Sequence, residues 1–203
     1  MINLGCNKIL IRFFLASLIL LLLIEKSFSI EPNAFIQSTV NRASAALNGS
    51  FTKEEKVQKL KNIAKETVDI RGIGFYTIGV HKKNMTDKKM SEYLTLFEKY
   101  FLKTFSDRLS EYTNPKVSVN NSIKLNENYT IVSSVLVATK KRSEIKIDWR
   151  VYTKDPQNPV IRDLIIEGLS LARTQKEEFN SIIQNNNGDI DALFNSLRKF
   201  INN

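Results

Sequence analysis

The chain has 203 residues, 42% of them hydrophobic and 25% charged, a balance that suits one globular domain and excludes a disordered polymer. Its formal net charge of +9 favours anionic surfaces, whether lipid headgroups, acidic proteins or nucleic acid, without choosing among them. Cys6 is the only cysteine and His81 the only histidine, so no intrachain disulfide can form and no His/Cys cluster is available for a metal or a nucleophile–base pair.

At the amino terminus Lys8 and Arg12 precede the apolar run Phe13 to Ile24, and Ser27 and Ser29 supply small residues where a signal peptidase reads them. Residues 1–29 read as a secretory signal peptide and residues 30–203 as the exported domain. The apolar run is shorter than the ~20 residues of a spanning helix; an uncleaved anchor is the alternative. Cys6 stands before the apolar run, whereas a lipoprotein cysteine would follow it. Removing the leader takes away Lys8, Arg12, Lys26 and Glu25, which leaves 27 bases, 20 acids and a net charge of +7.

Pro32 opens a helical pattern through Ile36, Val40, Ala43 and Leu47 that closes at Asn48-Gly49. Thr52 and Glu55 form a capping box for a second helix with Val57, Leu60, Ile63 and Ala64 on one stripe. The glycines of DIRGIGFYTIG, Asp69 to Gly79, do not have phosphate-loop spacing. They read instead as a tightly packed helix or turn, where a missing Cβ admits a neighbour. His81 lies in the polar stretch VHKKNMTDKK, which reads as a solvated loop.

Thr86 and Asp87 begin a long helix to about Tyr112 whose stripe of Tyr93, Leu94, Phe97, Phe101, Phe105 and Leu109 is the largest apolar surface in the chain. After Pro115, Val117, Val119, Ile123 and Leu125 mark a first strand. A second, Tyr129 to Thr139, is apolar on both faces, with Ile131, Val135 and Val137 on one and Val132, Leu136 and Ala138 on the other. Lys140, Lys141 and Arg142 turn the chain into a third strand, where Ile145, Ile147, Trp149 and Val151 alternate with Lys146, Asp148, Arg150 and Tyr152. KDPQNP leads to a fourth strand, with Val160, Leu164 and Ile166 on one face and Ile161, Asp163 and Ile165 on the other. Thr174 and Glu177 spell a capping box before Phe179, Ile182 and Ile183, and Gly188 precedes a final helix through Ile190, Leu193, Phe194 and Leu197. Helices, four hairpin-connected strands and then helices make an α+β fold with an antiparallel sheet.

The segment from Ile147 to Lys199 resembles the carboxy-terminal half of the MlaC family, periplasmic phospholipid-binding proteins also known as toluene-tolerance proteins. The similarity is carried by Ile165, Ile166, Glu167, Gly168, Leu169, Ser170 and Leu171, then by Glu178, Phe179, Ile182 and Ile183, then by Gly188, Asp189, Ile190 and Asp191. Phe97 to Tyr112 resembles the family's long aromatic helix. The resemblance implies a curved antiparallel sheet of about four strands wrapped by amphipathic helices and enclosing an apolar cavity. It also implies a soluble periplasmic carrier that shields acyl chains and shuttles phospholipid between inner and outer membrane, helping to maintain outer-membrane lipid asymmetry as the auxiliary component of an ABC transporter.

Combined with the inward-facing rows, the family's pocket region places the lipid against Ile73 and Phe75, against Phe97, Phe101 and Phe105 of the aromatic helix, and against Val135, Val137, Ile147, Trp149, Leu164 and Ile166 of the strands. Leu169, Phe179 and Ile183 complete the lining. A buried Trp149 indole N–H would need a hydrogen-bond partner. The partners implied are an inner-membrane ABC transporter complex bearing an MCE-domain ring and an outer-membrane lipoprotein–porin complex. No cofactor, metal or catalytic residue follows, and the interleaved basic and aromatic surface of a nucleic-acid binder is lacking. Asp148, Asp163 and Glu167 could supply paired carboxylates. Asp148 and Asp163 fall outside the apolar rows with Arg150 and Arg162 nearby, which points to ion pairs on the polar face. The rival readings are a small periplasmic enzyme on a similar cone-shaped fold, with Asp148 as base, and a membrane-anchored adaptor that holds a partner helix in its apolar groove.

Overall fold

A computed structural model of the chain describes residues 29–203 except 113 and 141. The expected signal peptide lies almost wholly outside the described residues. The described residues form six α-helices and five strands: α1 (Pro32–Asn48), α2 (Lys53–Thr67), α3 (Ile70–Ile78), α4 (Asp87–Ser110), β1 (Val117–Asn126), β2 (Tyr129–Leu136), β3 (Ile145–Tyr152), β4 (Val160–Ile166), β5 (Leu169–Ser170), α5 (Leu171–Gln184) and α6 (Ile190–Asn202). A short 3-10 turn, Gly79–Asn84, joins α3 to α4. None of the described helices is long and apolar enough to cross a membrane.

Local chemistry sets most of these boundaries. Pro32 starts α1, the Thr52–Glu55 capping box starts α2 with both reciprocal bonds formed, and the hydroxyl of Thr86 accepts from the Lys89 N–H to start α4. Asp69 caps α3 by accepting from Gly72 N–H. Gly74 lets α3 approach α4, for a Cβ there would stand 3.0 Å from Leu94 and 3.0 Å from Phe97. Of the tightly packed helix or turn expected here, the helix is found.

Helix α5 departs from expectation. It starts one turn before Thr174, because Ser170 caps it by accepting from the Arg173 N–H; Thr174 is already helical and bonds back to the Ser170 carbonyl at 3.0 Å. The fifth strand is also new. Glu167 (φ 50) and Gly168 (φ 83) both take positive φ, as a two-residue hairpin turn requires, and pair Ile165 with Ser170 and Ile166 with Leu169.

The sheet is antiparallel, open and curved, in the order β1-β2-β3-β4-β5. Thr130, Val132, Ser134 and Leu136 share one face with Ile145, Ile147, Trp149 and Val151, their cross-strand partners. Helix α1 covers this face, with Ile36 and Val40 packed on Val132, Val151 and Ile161. An irregularity between Arg150 and Val151 pairs Val151 with Ile161 and Arg150 with Asp163. The extra residue, Arg162, breaks the alternation expected for β4 and brings Ile161 onto the α1 side.

The remaining helices form a second core. Tyr93 and Phe97 of α4 meet Phe179 of α5 edge-on at 6.5 and 6.2 Å between ring centroids, and Tyr93 stacks on Phe194 of α6 at 6.2 Å. Along α4 the buried line runs from Tyr93, Leu94 and Phe97 to Leu102 and Ser106. Phe101 and Phe105, expected on that line, lie beside it, half-buried and stacked on each other at 5.9 Å.

Candidate functional site

A cavity of about 590 Å³ opens between α3, the start of α5 and the sheet face opposite α1, a volume within the ~300–1,000 Å³ usual for ligand sites. Helix α3 contributes Gly72, Ile73, Phe75 and Tyr76, α5 contributes Ala172, and the β1–β2 hairpin contributes Leu125, Asn126 and Tyr129. Arg150 of β3 and Arg162 and Asp163 of β4 complete it. One wall is apolar and the sheet wall is charged.

The charged wall is built by register. Arg150 and Asp163 are direct cross-strand partners, with Nη1 of Arg150 3.7 Å from the Asp163 carboxylate. Asp163 is only 4% exposed. Its oxygens accept from the Ser170 hydroxyl at 2.6 Å and from the Ala172 N–H at 3.0 Å, so it joins β4 to the amino terminus of α5, where the helix dipole favours an anion. The polar alternation of β3 and β4 thus faces a covered cavity, and the Asp163 ion pair expected on a solvated face is internal on its acidic side.

Arg162 is tied down completely by contrast. Its Nε and Nη2 both reach Asp69 at 2.8 Å, and Nη1 donates to the Tyr129 hydroxyl at 3.0 Å. Its guanidinium lies 3.6 Å from the centroid of Tyr152. Burial opposes its charge, but the bonds to Tyr129 and Asp69 outweigh that and raise its pKa above the ordinary arginine value. This cluster anchors the first turn of α3 to the sheet, since Asp69 caps that helix.

Of the residues expected against the lipid, Ile73 and Phe75 line the cavity. Phe97, Phe179 and Ile183 are at most 2% exposed within the helical core just behind α3. Phe101 and Phe105 pack against the same core from its margin. Ile147, Trp149, Leu164 and Ile166 fall in register on the α1 side of the sheet, away from the cavity wall formed by Arg150 and Asp163. The Trp149 indole finds its partner there, donating to the Ser134 hydroxyl at 2.8 Å. Val135 is half-buried on the opposite face. Val137, expected within β2, lies just past its end and is 38% exposed; Leu169, in the β4–β5 hairpin, is 59% exposed. The cavity residues Arg150, Arg162, Tyr129 and Leu125 were not expected on the lining, because alternation alone marks a row as polar without saying what covers it.

Among the described residues no group of His, Cys, Asp and Glu could hold a metal ion. His81 sits in the 3-10 turn with Nε2 3.0 Å from Oδ1 of Asn180. Asp148 does not line the cavity. Burial raises the pKa of Tyr93 well above the ordinary tyrosine value, against the lowering effect of its bond to Thr77, and burial likewise raises Tyr100.

The profile of the MlaC protein family matches residues 37–199. No curated protein matches the sequence. Among solved structures, the phospholipid-binding protein from Ralstonia solanacearum in complex with a phospholipid superimposes with a TM-score of 0.71 at 18% identity, over 85% of this chain and 97% of that one.

Proposed function

Because the chain belongs to the MlaC family, we propose that it is a periplasmic carrier that encloses phospholipid acyl chains and shuttles phospholipid between inner and outer membrane, without catalysing a reaction. The observation that carries this reading is the cavity between α3, α5 and the sheet, with an apolar helical wall and a charged strand wall suited to a ligand that is apolar at one end and ionic at the other. The neighbour that holds a phospholipid has the same fold.

The physical need is large. Two acyl chains carry ~30 methylene groups, and exposing them to water would cost on the order of 20 kcal/mol. A carrier lowers that barrier by replacing water with protein along the chains. Ile73, Phe75, Leu125 and Ala172 form the apolar wall seen in the cavity, and the rings of α4 and α5 pack behind it in the helical core. The basic balance of the exported domain, read from the sequence as +7, favours approach to anionic headgroups and to acidic docking partners. The partners in this reading are an inner-membrane ABC transporter complex with an MCE-domain ring and an outer-membrane lipoprotein–porin complex.

Vesicle-to-vesicle transfer tests the reading. With labelled phospholipid in donor vesicles, protein purified after export should accelerate movement to acceptor vesicles in proportion to its concentration. Transfer no faster than with an unrelated exported protein would overturn it.

A further inference from the structure

We infer that Arg150 is the headgroup-recognition residue of this cavity, its guanidinium taking the phosphate of the bound phospholipid. The inference rests on the carrier reading and adds to it the part of the ligand that the charged wall selects. Two arginines line the cavity, and their surroundings differ. Arg162 commits all three of its nitrogens to Asp69 and Tyr129 and is stacked on Tyr152, so it is fixed in a structural post.

Arg150 has no such anchorage. Among the described residues its one ion-pair partner is Asp163, at 3.7 Å, beyond hydrogen-bonding distance. The Asp163 oxygens are already taken by Ser170 and Ala172. Its Nε is buried with no acceptor, although a buried donor left unpaired is disfavoured. The side chain is 41% exposed, so the outer edge of the guanidinium opens into the cavity. A planar fork that no hydrogen bond from the described residues holds, set beside an apolar wall, fits a phosphodiester whose two unesterified oxygens can accept from it side by side. The amino terminus of α5 is not a competing anion site, because Asp163 already fills it.

Titration calorimetry on delipidated, exported protein separates the possibilities, using three probes: dioctanoyl phosphatidylglycerol, dioctanoylglycerol and inorganic phosphate. Wild type should bind the phospholipid at least about tenfold more tightly than the diglyceride with the same tails, a difference of about 1.4 kcal/mol. Arg150→Met should abolish this preference while leaving diglyceride affinity within about twofold. Arg150→Lys, which keeps a charge but not the fork, should lose most of it, and it decides the matter should circular dichroism show Arg150→Met unfolded. Arg162→Met should lower the melting temperature and keep the preference. Full preference in the folded Arg150 variants, or equal affinity of wild type for both lipids, overturns the inference and leaves the carrier reading standing. A wild type that binds neither lipid overturns the carrier reading itself. Phosphate bound through Arg150 as tightly as the phospholipid would make this a free-anion site and overturn the lipid assignment.

Discussion

The indole N–H of Trp149 donates to the hydroxyl of Ser134 at 2.8 Å, and that hydroxyl in turn donates to the carbonyl of Ile147 at 3.1 Å. Ser134 is 2% exposed, so neither bond is easily replaced by water. The pair joins β2 to β3 on the side of the sheet that α1 covers. Trp149→Phe should therefore destabilise the protein by about 1–2 kcal/mol, from one lost hydrogen bond and some lost ring contact. Urea unfolding of the delipidated variant measures it, and a double-mutant cycle with Ser134→Ala should recover part of the cost as coupling.

Alkaline pH offers a second test. Tyr93 is buried, its hydroxyl bonded to Thr77 at 2.8 Å and to the Gly74 carbonyl at 3.2 Å, and burial raises its pKa. In the unfolded chain it ionises near the usual ~10, so above that pH the folded state holds more protons than the unfolded one and stability falls as pH rises. The contribution is complete below pH ~10 and is lost progressively toward the higher folded value. Tyr100 shifts in the same direction. Urea midpoints from neutral pH to pH ~11 should decline in the alkaline limb, and Tyr93→Phe should have a lower midpoint at neutral pH with a shallower alkaline decline.

Gly74 sets the spacing of α3 from α4. A Cβ at this position meets Leu94 and Phe97 at 3.0 Å, and a branched side chain would push the two helices apart. Gly74→Val should cost roughly 1–3 kcal/mol by overpacking, read as a drop in melting temperature. A stability equal to wild type would mean that the α3–α4 contact is loose.

Ala172 stands on the cavity wall at the start of α5, and its backbone N–H, which bonds Asp163 at 3.0 Å, survives any side-chain change other than proline. Ala172→Trp should fill part of the cavity. The variant is expected to melt close to delipidated wild type, the proper reference because bound ligand raises apparent stability, and to retain several-fold less phospholipid on extraction. A full complement of lipid would place the acyl chains elsewhere.

Much of the architecture is legible in the sequence because it is local. Pro32, the Thr52–Glu55 box, Thr86 and the aromatic repeat of α4 announce their helices through capping and periodicity, and the alternation in β3 gives its bounds. What escapes is decided at a distance. Asp163 reads as surface because it alternates with Leu164, yet α5 folds over that face and encloses it. Ile161 changes side because the β3–β4 irregularity inserts Arg162, a shift that no pattern within one strand reveals. Leu102 and Ser106 replace Phe101 and Phe105 on the buried line of α4, since which edge of a broad stripe goes under depends on the neighbour that packs there. The Arg162–Asp69–Tyr129 cluster joins residues from three separate elements, and sequence spacing carries no trace of it.

Whether the protein carries phospholipid is read from mass spectrometry of an organic extract of the full chain, expressed in an exporting host and purified folded without added lipid. Phospholipid should be recovered in near-stoichiometric amount, its two acyl chains intact. An extract with no more phospholipid than that from an unrelated exported protein purified alongside it would contradict a phospholipid-carrying role.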